Sequence, residues 1–228
     1  MKLPLLVSVP HAGLEIPLEI RDLCVLSEAE IIRDGDEGAA EIYAIEAAVQ
    51  FFQTTDIARA FVDLNRAEDD RRADGVVKTH TCWNVPVYRA ALSEKLVETL
   101  LSRYHRPYHR RLSELAQAGA IAGIDCHTMA ACGPPVGPDP GKTRPWVCVS
   151  DGDGTCPRDR VTRLVQSLER HFDGNVTLND PFRGGHIIRT HASELPWIQL
   201  EISRAPFVGN DEKRRRVLAA LTDWCSES

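Results

Sequence analysis

Residues 5–13, with the sequence LLVSVPHAG, contain an apolar run that ends at a polar cluster. The same arrangement occurs three more times along the chain. The four runs are residues 5–9, 57–62, 120–124 and 197–200, and they end at His11, at Asn65 and Arg66, at His127, and at Glu201. Short apolar runs indicate buried strands, and open α/β sheets bind ligands at the carboxyl ends of their strands. We therefore expect these side chains to converge at one edge of a sheet.

The remaining pattern alternates strands with helices. It predicts strands at residues 146–149, 176–178 and 186–189, and helices at residues 36–52, 93–117, 158–172 and 210–225. Pro107 is expected to kink or split the second helix. The Gly- and Pro-rich loop 133–145 is a candidate lid because it closely follows the His127 cluster. The alternation indicates an α/β fold with a mixed, mostly parallel sheet and helices on both faces. Without a linker or repeat, residues 1–228 are expected to form one domain.

The composition disfavours several classes of function. A net charge of −6 and a pI of about 5.8 argue against nucleic acid as a partner, because phosphate neutralisation needs a concentrated basic surface. No segment has the roughly 18 apolar residues of a membrane span, and the N-terminal run lacks the features of a signal peptide. Seven cysteines without a C-x-x-C pair predict free thiols and a cytoplasmic location.

His11 and His127 are candidate metal ligands. A catalytic zinc ion takes about three ligands from His, Asp or Glu and keeps one position open. Two histidines in matching positions after strands fit such a site, and hydrogen-bonded structural roles stay open. Asp125 shares a strand face with His127, so it either orients this histidine or holds a neighbouring loop. The carboxylates available as third ligand are Glu15, Asp34, Asp36 and Glu37. We favour Asp36, for which helix capping is the alternative role.

Glu201 is the candidate catalytic group. It lies in an apolar strand, where a buried carboxylate must be paired, bind a metal or serve a function. Near a metal it would take a proton from water and pass it to the leaving amine. A salt bridge to Arg204 or another arginine is the equally weighted alternative.

Three arginine or histidine patterns complete the set. Asn65-Arg66 and Arg189 are candidates to bind a substrate carboxylate, which arginine contacts in a bidentate way. His105 and His109 are four residues apart on a predicted helix, as in zincins. The glutamate of the zincin motif is missing, so surface or helix-packing roles are favoured for this pair.

Taken in order, these clusters resemble the N-formylglutamate amidohydrolase (deformylase) family. The matching stretches are VPHAGLEIP (9–17), DGDEGAAEI (34–42), VDLNR (62–66), YHRPYHRRL (104–112), IDCHTM (124–129), VSDGDGTC (149–156), LNDPFRGGHIIRTHA (178–192) and IQLEISR (198–204). The family is distantly similar to zinc carboxypeptidases and aspartoacylases. This resemblance implies a three-layer α/β/α sandwich around a mixed, mostly parallel sheet.

The resemblance also implies roles for individual residues. His11 matches the first zinc ligand, His127 the later histidine ligand and Glu201 the glutamate that activates water. Asn65 and Arg66 match an element that holds the substrate carboxylate. The middle ligand departs from the H-x-x-E pattern of the wider group, because Leu14 stands at its last position, and Asp36 is our substitute. Arg189 is assigned to a second carboxylate or to the oxyanion.

Together these points predict a hydrolase with one Zn²⁺ or another divalent ion. The expected substrate is a small carboxylate-bearing N-acyl amino acid such as N-formylglutamate, cleaved at its amide bond. One alternative is a zinc carboxypeptidase or amidase acting on short peptides or cell-wall fragments. Another is a non-catalytic ligand-binding module on a decayed hydrolase fold. The acyl group, the amino-acid preference, the native metal and the oligomeric state stay open.

Overall fold

A computed structural model describes residues 2–173 and 175–226, and its centre is a six-stranded sheet. The strands are β1 (Leu3–Val9), β2 (Val49–Thr54), β3 (Ala122–Met129), β4 (Val147–Ser150), β5 (Val176–Leu178) and β6 (Trp197–Ser203). Their order is β2-β1-β3-β6-β4-β5. The first four strands in this order are parallel, whereas β4 is antiparallel to β6 and parallel to β5. The carboxyl ends of β1, β3 and β6 therefore meet at one edge, and β4 begins there.

Helices cover both faces of the sheet. They are α1 (Glu28–Asp34), α2 (Ala39–Ile42), α3 (Glu94–Leu100), α4 (Arg106–Ala116), α5 (Arg158–His171), α6 (His186–Thr190) and α7 (Asn210–Ser226). One core packs α2, α5 and α7 against the sheet. The other core packs residues of α1, α4 and α6 against the opposite face. This arrangement confirms the predicted α/β class and the mixed, mostly parallel sheet.

Strand alternation decides which side chains of β3 and β6 can carry chemistry. Ile124 and Cys126 of β3 lie in the core formed with α5 and α7. Successive side chains of a strand point to opposite faces, so Asp125 and His127 face the other side. Leu200 and Ile202 of β6 follow the same rule, which leaves Gln199 and Glu201 on the face of His127. Cys126 is therefore buried in the apolar core, on the face opposite to His127.

The second strand lies earlier in the chain than predicted. The expected helix 36–52 is helical only at Ala39–Ile42, and its last part belongs to β2, which pairs with β1. The sequence Val49-Gln50-Phe51-Phe52 has β-branched and aromatic residues, and pairing with a central strand outweighs its helical spacing. The run 57–62 was wrongly predicted as a strand: it forms turns and isolated bridges to residues 13 and 15. The run is apolar because it packs in the core that contains residues of α1, α4 and α6.

Further predictions meet different outcomes. Residues 186–189 were predicted as a strand and instead form α6. The helix predicted from residue 93 begins with α3, which Ser93 caps through a hydrogen bond from the Leu96 amide to its hydroxyl. The long helical segment is interrupted by a π-helical turn at Leu101–His105, so the break comes before Pro107. In the described ranges, no helix combines the length and apolar character that a membrane crossing requires. All seven cysteines are free thiols.

Candidate metal centre and active site

His11 lies two residues beyond β1, at the carboxyl edge of the sheet, and is buried. Its Nε2 is 2.8 Å from Asp63 Oδ1. Asp63 also accepts the Arg59 Nε–H at 3.0 Å and the Asn65 amide N–H at 3.0 Å, so it is fixed from three sides. A carboxylate at Nε2 holds the proton on that nitrogen and turns the Nδ1 lone pair of His11 to the opposite side.

His127 repeats this arrangement from β3. Its Nε2 is 2.8 Å from Asp125 Oδ2, two residues earlier on the same strand face. Asp125 accepts the Ser8 hydroxyl from the adjacent strand at 2.8 Å and the Asn65 Nδ2–H group at 3.3 Å. The carboxylate again fixes the tautomer, so His127 also presents the Nδ1 lone pair. The orienting role predicted for Asp125 agrees with this geometry.

Asp36 brings a carboxylate oxygen to these two nitrogens. Its Oδ2 is 3.0 Å from His127 Nδ1 and 3.5 Å from His11 Nδ1, and the two nitrogens are 3.1 Å apart. The Thr128 amide donates to the same oxygen at 3.1 Å. Asp36 caps no helix, because α2 begins after Gly38 and has no side-chain cap.

The alternative third ligands lie elsewhere. Asp34 is buried but accepts the Lys78 ammonium at 2.9 Å and the Cys82 amide at 2.7 Å. Glu15 and Glu37 are exposed. The tertiary structure thus brings only Asp36 of the four candidates to the two histidines.

The donor set fits a tetrahedral divalent metal. Two imidazole nitrogens and one carboxylate oxygen face each other, while the outer nitrogens of both rings are committed to Asp63 and Asp125. Three such lone pairs repel unless a cation lies between them. Ligands at about 2.0–2.1 Å from zinc would lie about 3.3–3.4 Å apart, close to the separations seen here. These three residues also line a cavity, so a fourth coordination position would face the cavity.

Burial and neighbouring charges shift the pKa values of Asp36 and His127. Burial alone would raise the pKa of Asp36, but His11 and His127 hold it well below its usual range. Burial alone would lower the pKa of His127, but the Asp125 carboxylate and the contact with Asp36 raise it well above the usual histidine value. A positive charge is therefore strongly stabilised among these residues.

Glu201 lies beside His127 because the two residues are register partners in the parallel pair of β3 and β6. Its Oε1 accepts the Gln199 Nε2–H group at 2.9 Å, and Gln199 Oε1 accepts the Gly185 amide at 2.7 Å. Burial raises the pKa of Glu201, although the nearby His127 opposes the shift. Glu201 forms no ion pair with Arg204 or with another arginine among the described residues, so the salt-bridge alternative is wrong.

A cavity of about 210 Å³ joins the metal ligands, Glu201 and both members of the Asn65-Arg66 pair. Asn65 donates to Asp125 and accepts the Ile187 amide at 2.8 Å, so most of its hydrogen-bonding capacity is used within the protein. Arg66 keeps only long contacts, 3.4 Å to Asp74 and 3.8 Å to Asp63. One wall comes from the loop 133–145 through Pro134, Val136, Gly137, Pro138 and Arg144.

Arg189 does not line this cavity. Its guanidinium donates to the carbonyl oxygens of Gly152 at 2.8 Å and Arg183 at 2.9 Å. The helix α6 places the Arg189 side chain beside this loop and away from the cavity. The sequence interpretation also gave no role to Arg59, Asp63, Gln199 or Arg144. Only Gln199 had a usable signal, because it is two residues from Glu201 on one strand.

His105 and His109 support the site from behind. The Nε2–H of His105 donates to the Arg66 carbonyl and that of His109 to the Leu64 carbonyl, both at 2.9 Å. The two contacts flank Asn65 and fix its loop. His186 joins them beside a separate cavity, and the donor atoms of these three histidines lie within 4.8 Å of one another. Helix packing, the role favoured for His105 and His109 by the sequence, agrees with these contacts.

Comparisons with known proteins agree with this arrangement. The deformylase of Pseudomonas putida that acts on N-formylglutamate is 25% identical over 227 residues, covering 92% of this chain and 84% of that protein. The structure of N-formylglutamate amidohydrolase from Ralstonia eutropha JMP134 has a TM-score of 0.75 at 22% identity, covering 99% of this chain and 91% of that chain. A gene product of Agrobacterium tumefaciens gives a TM-score of 0.73 at 18% identity, with coverages of 99% and 89%. These structures share the fold.

A family model also matches most of the sequence of this chain. The profile described as N-formylglutamate amidohydrolase matches residues 3–208, which include every strand and the whole cavity. This chain therefore belongs to the N-formylglutamate amidohydrolase family.

Proposed function

We propose that the protein is a metal-dependent amidohydrolase that removes the N-formyl group from an acidic N-formyl amino acid such as N-formylglutamate. The observation that carries this proposal is the triangle of His11, Asp36 and His127, open towards the cavity that also contains Glu201. Family membership supports the reaction class. The free cysteines favour a cytoplasmic location.

The two Nδ1 atoms and Asp36 Oδ2 would hold the metal. Two imidazoles and one carboxylate suit Zn²⁺, although other divalent ions accept the same ligands. When bound, such an ion supplies Lewis-acid polarisation for an amide carbonyl and lowers the pKa of water. The outer carboxylates, Asp63 and Asp125, keep both histidines in the tautomer that this role requires.

Glu201 is the general base in this proposal. Its raised pKa, caused first by burial, brings it closer to neutrality, where a carboxyl group exchanges protons most effectively. It takes one proton from the attacking water as the water oxygen bonds to the formyl carbon, and it gives this proton to the amide nitrogen as the carbon–nitrogen bond breaks. The second water proton passes from the nascent formic acid to the amine, so the products are formate and the amino acid with a protonated amino group. Gln199 keeps the carboxylate pointed into the cavity.

Arg66 binds the α-carboxylate of the substrate. Its Nε is buried without a hydrogen-bond partner, so a guanidinium donor is available at the cavity wall. The cavity of about 210 Å³ lies below the roughly 300–1,000 Å³ of pockets for drug-sized ligands. This size favours a single amino acid derivative over a peptide or a cell-wall fragment.

The test combines metal analysis with a formate assay. Protein purified without chelator is expected to contain about one divalent ion per chain and to release formate from N-formyl-L-glutamate. The triple variant H11A/D36A/H127A should lose the metal and the activity, while the exposed control Glu114→Gln should keep both. Stoichiometric metal without turnover on any N-formyl or peptide substrate would favour a ligand-binding module and contradict the proposal.

A further inference from the structure

Arg204 follows β6 directly, three residues after Glu201, and lines the same cavity. Its Nε is inaccessible to solvent and has no hydrogen-bond partner. Within residues 2–173 and 175–226, no carboxylate lies within ion-pair distance of its side chain. A buried donor without a partner on a charged group costs free energy. A ligand that accepts a hydrogen bond from Arg204 would remove this cost.

The other buried arginines of the cavity are neutralised by the protein. Arg59 donates to Asp63 at 3.0 Å. Arg144 forms a bidentate pair with Asp139, with contacts of 2.8 and 2.6 Å. Arg204 has no such partner, which distinguishes it from both.

The nearest acidic group of the site does not fill this role. Glu201 accepts its hydrogen bond from Gln199 and forms no ion pair with Arg204 in the described ranges, although both residues line the cavity. Arg66, the proposed α-carboxylate partner, also has a buried Nε without a partner. The cavity therefore has two guanidinium groups whose Nε lacks a hydrogen-bond partner, and of the two only Arg204 also lacks an ion pair in the described ranges.

We propose that Arg204 binds a second carboxylate of the substrate and so selects N-acyl derivatives of dicarboxylic amino acids. This inference rests on the proposed function, and it moves the second-carboxylate role from Arg189 to Arg204. Guanidinium and carboxylate match in a bidentate geometry. A substrate with a neutral side chain would leave the buried donor of Arg204 unpaired, and the site would reject it for that reason.

The experiment compares N-formyl-L-glutamate with N-formyl-L-glutamine, which has nearly the same shape but a neutral side chain. The measured quantity is the ratio of kcat/KM for the two substrates, from formate release by the metal-loaded protein. Arg204→Gln is expected to lower this ratio by about 30- to 5,000-fold, the range for loss of one partner of a buried charge pair. Arg204→Lys should restore part of the ratio. The control Arg215→Gln, at an exposed arginine of α7 that does not line the cavity, is expected to keep the wild-type ratio.

Two results of the kcat/KM comparison would overturn the inference. One is an unchanged ratio in Arg204→Gln, and the other is an equal loss of activity on both substrates, which indicates a structural role. Glutarate binding separates this inference from the proposed function. If wild-type protein releases no formate at all, calorimetric binding of glutarate that weakens in Arg204→Gln still supports a dicarboxylate site. Equal binding of glutarate to both proteins overturns it.

Discussion

Replacing Glu201 with glutamine is the sharpest test of the site, because it removes one charge and almost no volume. The side chain is 6% exposed and has one hydrogen bond, from Gln199 Nε2 to Oε1. The carbonyl oxygen of a glutamine can accept the same hydrogen bond. The amide then faces the cavity, where it cannot take a proton from water. The substitution should therefore leave the fold and the metal ligands in place.

The expected loss follows from the role of the residue. Positioned general acid–base groups contribute about 10²–10⁴-fold in rate, which corresponds to about 2.7–5.4 kcal/mol in the activation barrier. Stability should change in the opposite direction. Because burial raises the pKa of Glu201, its ionised form is destabilised in the folded state at neutral pH. A neutral glutamine avoids this cost, so the free energy of unfolding is expected to stay equal or increase.

Three measurements on one preparation decide the matter. They are kcat for formate release from N-formyl-L-glutamate, metal content by elemental analysis, and urea unfolding at neutral pH. Glu114→Gln on α4 is the matched control, because Glu114 is exposed and pairs only with Arg111. Turnover within a few-fold of wild type in Glu201→Gln would refute the assigned role. Loss of metal in this variant would show instead that Glu201 supports the ligand set.

The other predictions concern metal affinity, pH and stability. Asp125→Asn should weaken metal binding by about 10–100-fold, because His127 loses the partner that fixes its tautomer. Chelator competition measures this affinity, and an unchanged value would contradict the prediction. The acid limb of kcat/KM should lie above the usual glutamate pKa of about 4.3, since Glu201 must be ionised and activity is lost as pH falls through its raised pKa. An acid limb at or below that value would count against Glu201 as the base. Lys78→Met should lower the free energy of unfolding by about 3–5 kcal/mol, because it leaves the buried Asp34 carboxylate without its cation, and a loss below 1 kcal/mol would be inconsistent with this pair.

The sequence could predict the parts of the site that follow from strand direction. His11, His127 and Glu201 each lie at the end of an apolar run, and parallel strands bring such ends to one edge. This rule needs no knowledge of which strands are neighbours. Asn65 and Arg66 also lie at this edge, but for another reason. Their apolar run forms buried turns rather than a strand, and bridges to residues 13 and 15 hold it beside the segment that follows β1.

Long-range contacts decided the residues that the sequence left open. Asp36 differs from Asp34 only in its partners, since Lys78 pairs with Asp34 from a loop far along the chain. Arg189 was assigned to the substrate from its place in the family resemblance, and only the tertiary structure shows that its guanidinium binds backbone carbonyl oxygens outside the cavity. Arg204 was interpreted as a possible partner of Glu201, and only the tertiary structure shows that the two side chains remain unpaired. The capping box of α1, with Ser27 and Glu30, was present in the sequence and could have been used.

The direction of β4 explains why the Pro-rich segment covers the site. β3 ends at Met129, whose partner is Ser203, and β4 begins at Val147, whose partner is Ile202. Both positions flank the carboxyl end of β6, so the ends of the segment 130–146 lie about 10 Å apart, two strand spacings. A chain of this length that spans so short a distance must extend outwards over the edge. A parallel β4 would instead need a crossover to the far edge of the sheet. The antiparallel strand therefore keeps Arg144 and the prolines of this segment at the cavity, where they form part of its lining.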